Sequence, residues 1–179
     1  MRLFVAVDLP ATVKDELDRV ITELRPAIPN AKWVPRDNLH LTLSFLGEVG
    51  DDRVEPIVDA LRDAVSSISP IPARLAGSGA FPSARRARVL WAGLESEGLP
   101  ALAEATAEAL VPMGFPRESR SWTAHLTVAR FREPANVGSL LPLRLEELSL
   151  EVAELTLFRS RLARPAPRYE PVIRVPLGP

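Results

Sequence analysis

The chain has 179 residues, 46% of them hydrophobic, and sets 22 Lys and Arg against 23 Asp and Glu for a formal net charge of −1. That length supports one well-buried core and is short for two independent domains, so a single domain over 1–179 is expected. The charge balance argues against a protein that works by neutralising a long tract of phosphates, and the lack of any cysteine excludes disulfides, thiolate nucleophiles and Cys-ligated zinc.

Lysine occurs only at Lys14 and Lys32, so nearly all positive charge is arginine. The N-terminal apolar run Leu3 to Val7 is closed by Asp8 and no long apolar segment follows. Neither a signal peptide nor a membrane span is expected, and the default location is the cytoplasm.

In chain order, RLFVAVDL reads as a buried strand, with Pro10 placed where proline is tolerated at a helix start. Val13, Leu17, Val20, Ile21 and Leu24 then form one stripe, which predicts a helix ended by Pro26 and Pro29. Lys32 to Val34 and Leu39 to Leu46 are extended by pattern. A second helix is expected from Asp52 to about Val65, with Asp51 or Asp52 as its cap.

ARLAG and ARRARVLWAGL come next as paired strands, with Phe81-Pro82-Ser83 as the turn between them. A third helix is expected from about Leu99 to Val111. After it stands a strand around Ala124 to Ala129, then extended segments at Leu143 to Leu148, Leu150 to Phe158 and Tyr169 to Val175. Recurrent proline puts the last of these at a sheet edge. Strands outnumber helices, and the order strand, helix, strand occurs twice.

The chain's only two histidines each open the same pattern, His40-Leu41-Thr42-Leu43 and His125-Leu126-Thr127-Val128. On a strand the side chains alternate faces. Each copy therefore buries its aliphatic pair and presents a histidine and a hydroxyl together on the other face. If the halves pack about a pseudo-two-fold axis, the two presented faces line one cleft.

Two imidazoles with an ordinary pKa of about 6.5 supply a neutral base and a protonated acid in one site. The threonine hydroxyls are short donors suited to the non-bridging oxygens of a phosphodiester. Neither motif carries a carboxylate, so no metal or other cofactor is expected. A single run of this kind is ordinarily a strand with a satisfied histidine and a surface threonine. Two copies that use every histidine in the chain are much harder to dismiss.

With these motifs the sequence resembles the 2H phosphoesterase superfamily, and within it the bacterial and archaeal RNA 2',3'-cyclic phosphodiesterases, also described as 2'-5' RNA ligases. The start MRLFVAVDLP, the lead-in KWVPRDNLHLTLSFLGEV, the segment ARRARVLWAGL and the late stretch LTLFRSRL add to the likeness. The resemblance implies an α/β (α+β) fold of two pseudo-symmetric, mostly antiparallel sheet-plus-helix lobes around a central groove. It implies hydrolysis of an RNA-terminal or nucleoside 2',3'-cyclic phosphate to the 2'-phosphomonoester, with His40 as proton donor and His125 as proton acceptor. The implied partners are RNA termini or small cyclic nucleotides, with no membrane and no obligate protein partner.

Family analogy also has Arg130 hold the phosphate or an adjoining nucleotide, but strand parity puts it on the face of Leu126 and Val128, and it reaches the cleft only if the strand ends or bulges near Ala129; the alternative is a structural ion pair. Arg132 has the right parity farther out. Phe45 and Trp33 are candidates to stack on a base; Phe45 has the parity of Leu41 and Leu43, which favours the core instead, while Trp33 is undecided and Ser44 shares the face of His40. The clusters Arg85, Arg86, Arg88 and Arg159, Arg161, Arg164, Arg168 either guide an RNA end or are ordinary solvated charge. The rival readings are a 2'-5' ligase, a phosphodiesterase for other cyclic or 2'-5' linked nucleotides, and a non-catalytic RNA-end binder. A plain structural domain would keep the two histidines apart.

Overall fold

A computed structural model describes residues 1–179. β1 (Arg2–Asp8) is followed by α1 (Ala11–Leu24), β2 (Lys32–Trp33), β3 (His40–Glu48) and α2 (Val54–Val65). Then come β4 (Ile71–Phe81), β5 (Ala87–Glu95), α3 (Leu99–Leu110), β6 (His125–Ala135), β7 (Leu148–Val152), β8 (Glu154–Arg161) and β9 (Arg168–Pro176). The strands form two sheets, ordered β3-β1-β8-β9 and β2-β6-β5-β4-β7, with antiparallel pairing throughout. The fold is α+β and bilobal, as the resemblance implies. No helix is long and apolar enough to cross a membrane.

The apolar stripes decide the packing. Val13, Leu17, Val20 and Ile21 of α1 are buried, as are Ile57, Val58, Leu61 and Val65 of α2. They join Leu3, Val5 and Val7 of β1 and Leu126 and Val128 of β6 in one apolar cluster of 40 buried residues that spans both sheets. Residues on the second face of β1 do something else: Phe4 and Ala6 pack with Phe158 in a small separate cluster against Tyr169.

Both histidine strands pair with the strand that precedes the helix in their own half, β3 with β1 and β6 with β5. The duplication stops there, because β2 joins the second sheet while β8 and β9 join the first. In β1–β3, Ala6 faces Thr42 and Val5 faces Ser44, leaving Leu43 as an extra residue. In β5–β6, Trp91 faces Thr127 and Leu90 faces Ala129, leaving Val128 as the extra residue. Each motif thus ends in a β-bulge at its fourth position, and a one-residue insertion reverses the facing of the residues beyond it.

Three expectations are corrected. Phe45 is not a core residue: beyond the bulge its ring turns outward and is 59% exposed. The second helix takes no carboxylate cap, since Asp51 to Arg53 form a 3-10 turn and α2 starts after it without a side-chain cap hydrogen bond. Finally, residues 143–147 are not a strand, and Leu150 to Phe158 is interrupted at Ala153, where the chain passes from one sheet to the other. Two strands run past their expected ends, β4 through Phe81 and β6 to Ala135; the remaining boundaries agree within a few residues, and β9 lies at a sheet edge.

The bulge has a measurable consequence. Leu126→Ala empties a fully buried position and should cost about 3 kcal/mol in urea unfolding. Phe45→Ala should cost about 0.5 kcal/mol, the usual effect of a surface change. A core-sized loss at Phe45 would contradict the outward ring.

Candidate active site

A cavity of about 130 Å³ lies between the lobes, and His40, Thr42, His125, Thr127, Arg130 and Tyr169 all line it. The two predicted pairs are therefore brought to one space from two sheets. Trp122 bridges them, donating its indole N–H to the Thr42 carbonyl at 3.1 Å.

The imidazoles are held alike. His40 Nδ1 lies 2.7 Å from the carbonyl of Asn38, and His125 Nδ1 lies 2.9 Å from the carbonyl of Thr123. A carbonyl oxygen only accepts, so Nδ1 carries the hydrogen in both rings and the working nitrogen is Nε2. In His40, Nε2 meets the Thr42 hydroxyl at 2.9 Å. The hydroxyl donates when the ring is neutral and accepts when it is protonated.

The surroundings of the two rings differ. His40 packs against Phe4 at 5.0 Å and edge-on to Tyr169 at 5.4 Å between centroids. That burial holds its pKa below the usual histidine value; the charges of Arg130 and Lys14 lower it further, against opposing effects of the Asn38 carbonyl and Asp8. His125 stands edge-on to Phe81 at 5.2 Å and lies 6.4 Å from Trp91. Trp91 lies over Gly79 on the neighbouring strand, where any Cβ would collide with the indole.

Arg130 reaches the cavity through the bulge at Val128, which resolves the parity objection raised by the sequence. Trp33 lines the same cavity, and Ser44 lines an adjoining one on the other flank of β3. Arg132, the Arg85 to Arg88 group and Arg159, Arg161, Arg164 and Arg168 line neither. Arg88 donates to the Arg132 carbonyl at 2.7 Å, and Arg161 pairs with Glu170 at 2.7 Å.

Sequence reasoning passed over Asn38, Lys32 and Tyr169. Asn38 both anchors His40 through its carbonyl and donates its side-chain amide to the Pro167 carbonyl at 2.7 Å, fastening the β8–β9 connection over the ring. Tyr169, the chain's single tyrosine, stands at the start of β9 just after that connection. Burial pushes its phenol pKa up despite Arg130 and Arg2, so it is a protonated donor at neutral pH. Only the polar Asn38 just ahead of the motif was a usable signal. No group of three or more His, Asp or Glu side chains is arranged to hold a metal ion.

A relative from Methanothermobacter thermautotrophicus, named RNA 2',3'-cyclic phosphodiesterase, is 35% identical over 94% of this chain and 95% of its own length. The chain belongs to the LigT-like phosphoesterase family. The model of that family, described as LigT like Phosphoesterase, matches residues 7–91. Among solved structures, the Thermus thermophilus protein TT0787 superimposes with a TM-score of 0.84 at 32% identity, covering 99% of this chain and 98% of that one. The E. coli LigT complex with 3'-AMP gives 0.78 at 29% identity, covering 98% and 97%. The resemblance read from the two motifs is borne out, and the protein is a phosphoesterase.

His40 makes stability depend on pH. A histidine whose pKa is lowered on folding stays neutral in the native state while the unfolded chain takes up a proton, so stability falls as pH drops below about 6.5. His40→Gln should flatten the fall in melting temperature between about pH 6.5 and 5. An unchanged slope in the variant would show that the ring is not desolvated as described.

Proposed function

We propose that this phosphoesterase hydrolyses RNA-terminal or nucleoside 2',3'-cyclic phosphates to the 2'-phosphomonoester with a two-imidazole acid–base pair and no metal. The observation that carries the reading is the presence of both histidines, each anchored through Nδ1 to a backbone carbonyl, on the wall of one cavity. The names of the relatives and the 3'-AMP bound by E. coli LigT support the substrate class.

In this reading one imidazole takes a proton from water as its oxygen attacks phosphorus. The P–O3' bond breaks in line, and the other imidazole delivers a proton to the departing 3' oxygen. Thr42, Thr127 and Arg130 hold the non-bridging oxygens, whose negative charge concentrates in the transition state. Phe45, exposed beside Phe4 at 6.2 Å between centroids, offers a face on which a base can stack.

The family resemblance makes His40 the donor and His125 the acceptor. For that assignment the anionic diester must offset the burial that disfavours a charged His40. The reverse assignment is the second reading, and the lowered pKa of His40 favours it.

His40→Ala and His125→Ala should each reduce kcat by roughly 10² to 10⁴ while leaving the fold intact. Thr42→Val and Thr127→Val should each lose about 3 kcal/mol of transition-state stabilisation. Near-native turnover by either histidine variant would overturn the reading, and loss of activity in chelator would overturn its metal-free part. The two assignments separate with a substrate whose 3' oxygen is replaced by sulfur, because a thiolate leaves without a proton. This substrate should rescue the variant lacking the acid, expected to be His40→Ala, and leave the variant lacking the base inactive.

A further inference from the structure

A cavity of about 540 Å³ adjoins the first one and shares with it His40, Lys32, Arg130, Pro167 and Tyr169. It runs along the four-stranded sheet past Phe4 to Arg2 at the start of β1. Arg2 and Phe4 lie on one face of the strand, with Arg2 roughly 7 Å beyond Phe4 along it. The Phe4 ring is itself 5.0 Å from His40. Along this path Arg2 lies about 12 Å from the histidine, a gap that one nucleotide and an extended arginine side chain span together.

Charge separates this arm from its alternative. Arg2, Lys32 and Arg130 line it, no carboxylate lines either it or the cavity between the histidines, and no acidic side chain forms an ion pair with any of the three. The charges of Arg2 and Arg130 both reach the phenol of Tyr169 between them. The opposite arm, about 360 Å³ beside α3, is lined by Glu104 and Glu118 as well as Arg117 and Arg120, and Arg117 is already taken by Glu104 and Glu108. An RNA that ends in a cyclic phosphate continues only on its 5' side, so one arm receives the strand. The arm with three unpaired cations suits a polyanion, and the arm carrying carboxylates repels one.

We propose that Arg2, with Lys32 lining the same cavity, binds the phosphodiester on the 5' side of the terminal nucleotide, so that the enzyme selects oligonucleotide ends over single nucleosides. The inference rests on the cyclic-phosphate reading above and adds a specificity-determining contact outside the reacting group. Arg2 touches no reacting atom; it tightens binding of a substrate long enough to reach it.

The test is steady-state hydrolysis of adenosine 2',3'-cyclic phosphate and of the dinucleotide ApA ending in a 2',3'-cyclic phosphate, by wild type, Arg2→Gln and Arg2→Lys. Wild type should favour the dinucleotide in kcat/KM. Arg2→Gln should raise KM for the dinucleotide roughly tenfold, the loss of one charge-assisted hydrogen bond, with kcat for both substrates and KM for the nucleoside unchanged. Arg2→Lys should keep most of the preference, and rising salt should erode it. An equal loss on both substrates, or a dinucleotide preference untouched by Arg2→Gln, overturns this inference and leaves the cyclic-phosphate reading standing. If wild type hydrolyses neither substrate, the reading of the function itself falls.

Discussion

Each histidine gives its Nδ1 hydrogen to a backbone carbonyl two residues before it, and the way both rings face the cavity depends on that contact. A free imidazole exchanges tautomers and rotates; a ring tied to the main chain does neither easily, and it offers one defined nitrogen to a ligand. Because the acceptor belongs to the same segment as the ring, the geometry survives wherever that segment is carried. Two sheets of different strand order can therefore present the same working edge.

The bulge after each motif does the complementary task. Up to Thr42 and Thr127 simple alternation holds, with Leu41 and Leu126 buried behind the polar pair. One extra residue then reverses the strand, sending Phe45 outward on one lobe and Arg130 on the other. The two lobes thus match in position and differ in chemistry, an aromatic ring on one and a guanidinium on the other. The neighbours of the rings differ as well: His40 lies against Phe4 and Tyr169 in surroundings that disfavour its charged form, and His125 lies against Phe81 and Trp91.

Ion pairing tells the basic surface apart more sharply than composition does. Arg36 pairs with Asp15, Arg74 with Glu95 and Glu147, and Arg117 with Glu104 and Glu108, all at exposed positions. The cations along the groove have no such partners. Arginine is common throughout this sequence, so what sets Arg2, Lys32 and Arg130 apart is that no carboxylate pairs with them, although Glu48 stands across the strand from Arg2 and lies 3.7 Å from the Met1 amino group.

The sequence by itself determined the elements that depend on local period. Helix stripes such as Val13, Leu17, Val20 and Ile21, and the two His-x-Thr pairs, were legible because 3.6-residue and two-residue periods are properties of a short segment. It also carried the family, since the motifs are contiguous. Tertiary structure alone decided the rest. A bulge is a mismatch between two strands, so neither Leu43 nor Val128 announces it, and Phe45 and Arg130 were misplaced or undecided for that reason. Tyr169 and Arg2 come to the groove from β9 and β1, far from either motif in sequence, and only the pairing of β8 with both of those strands brings them there.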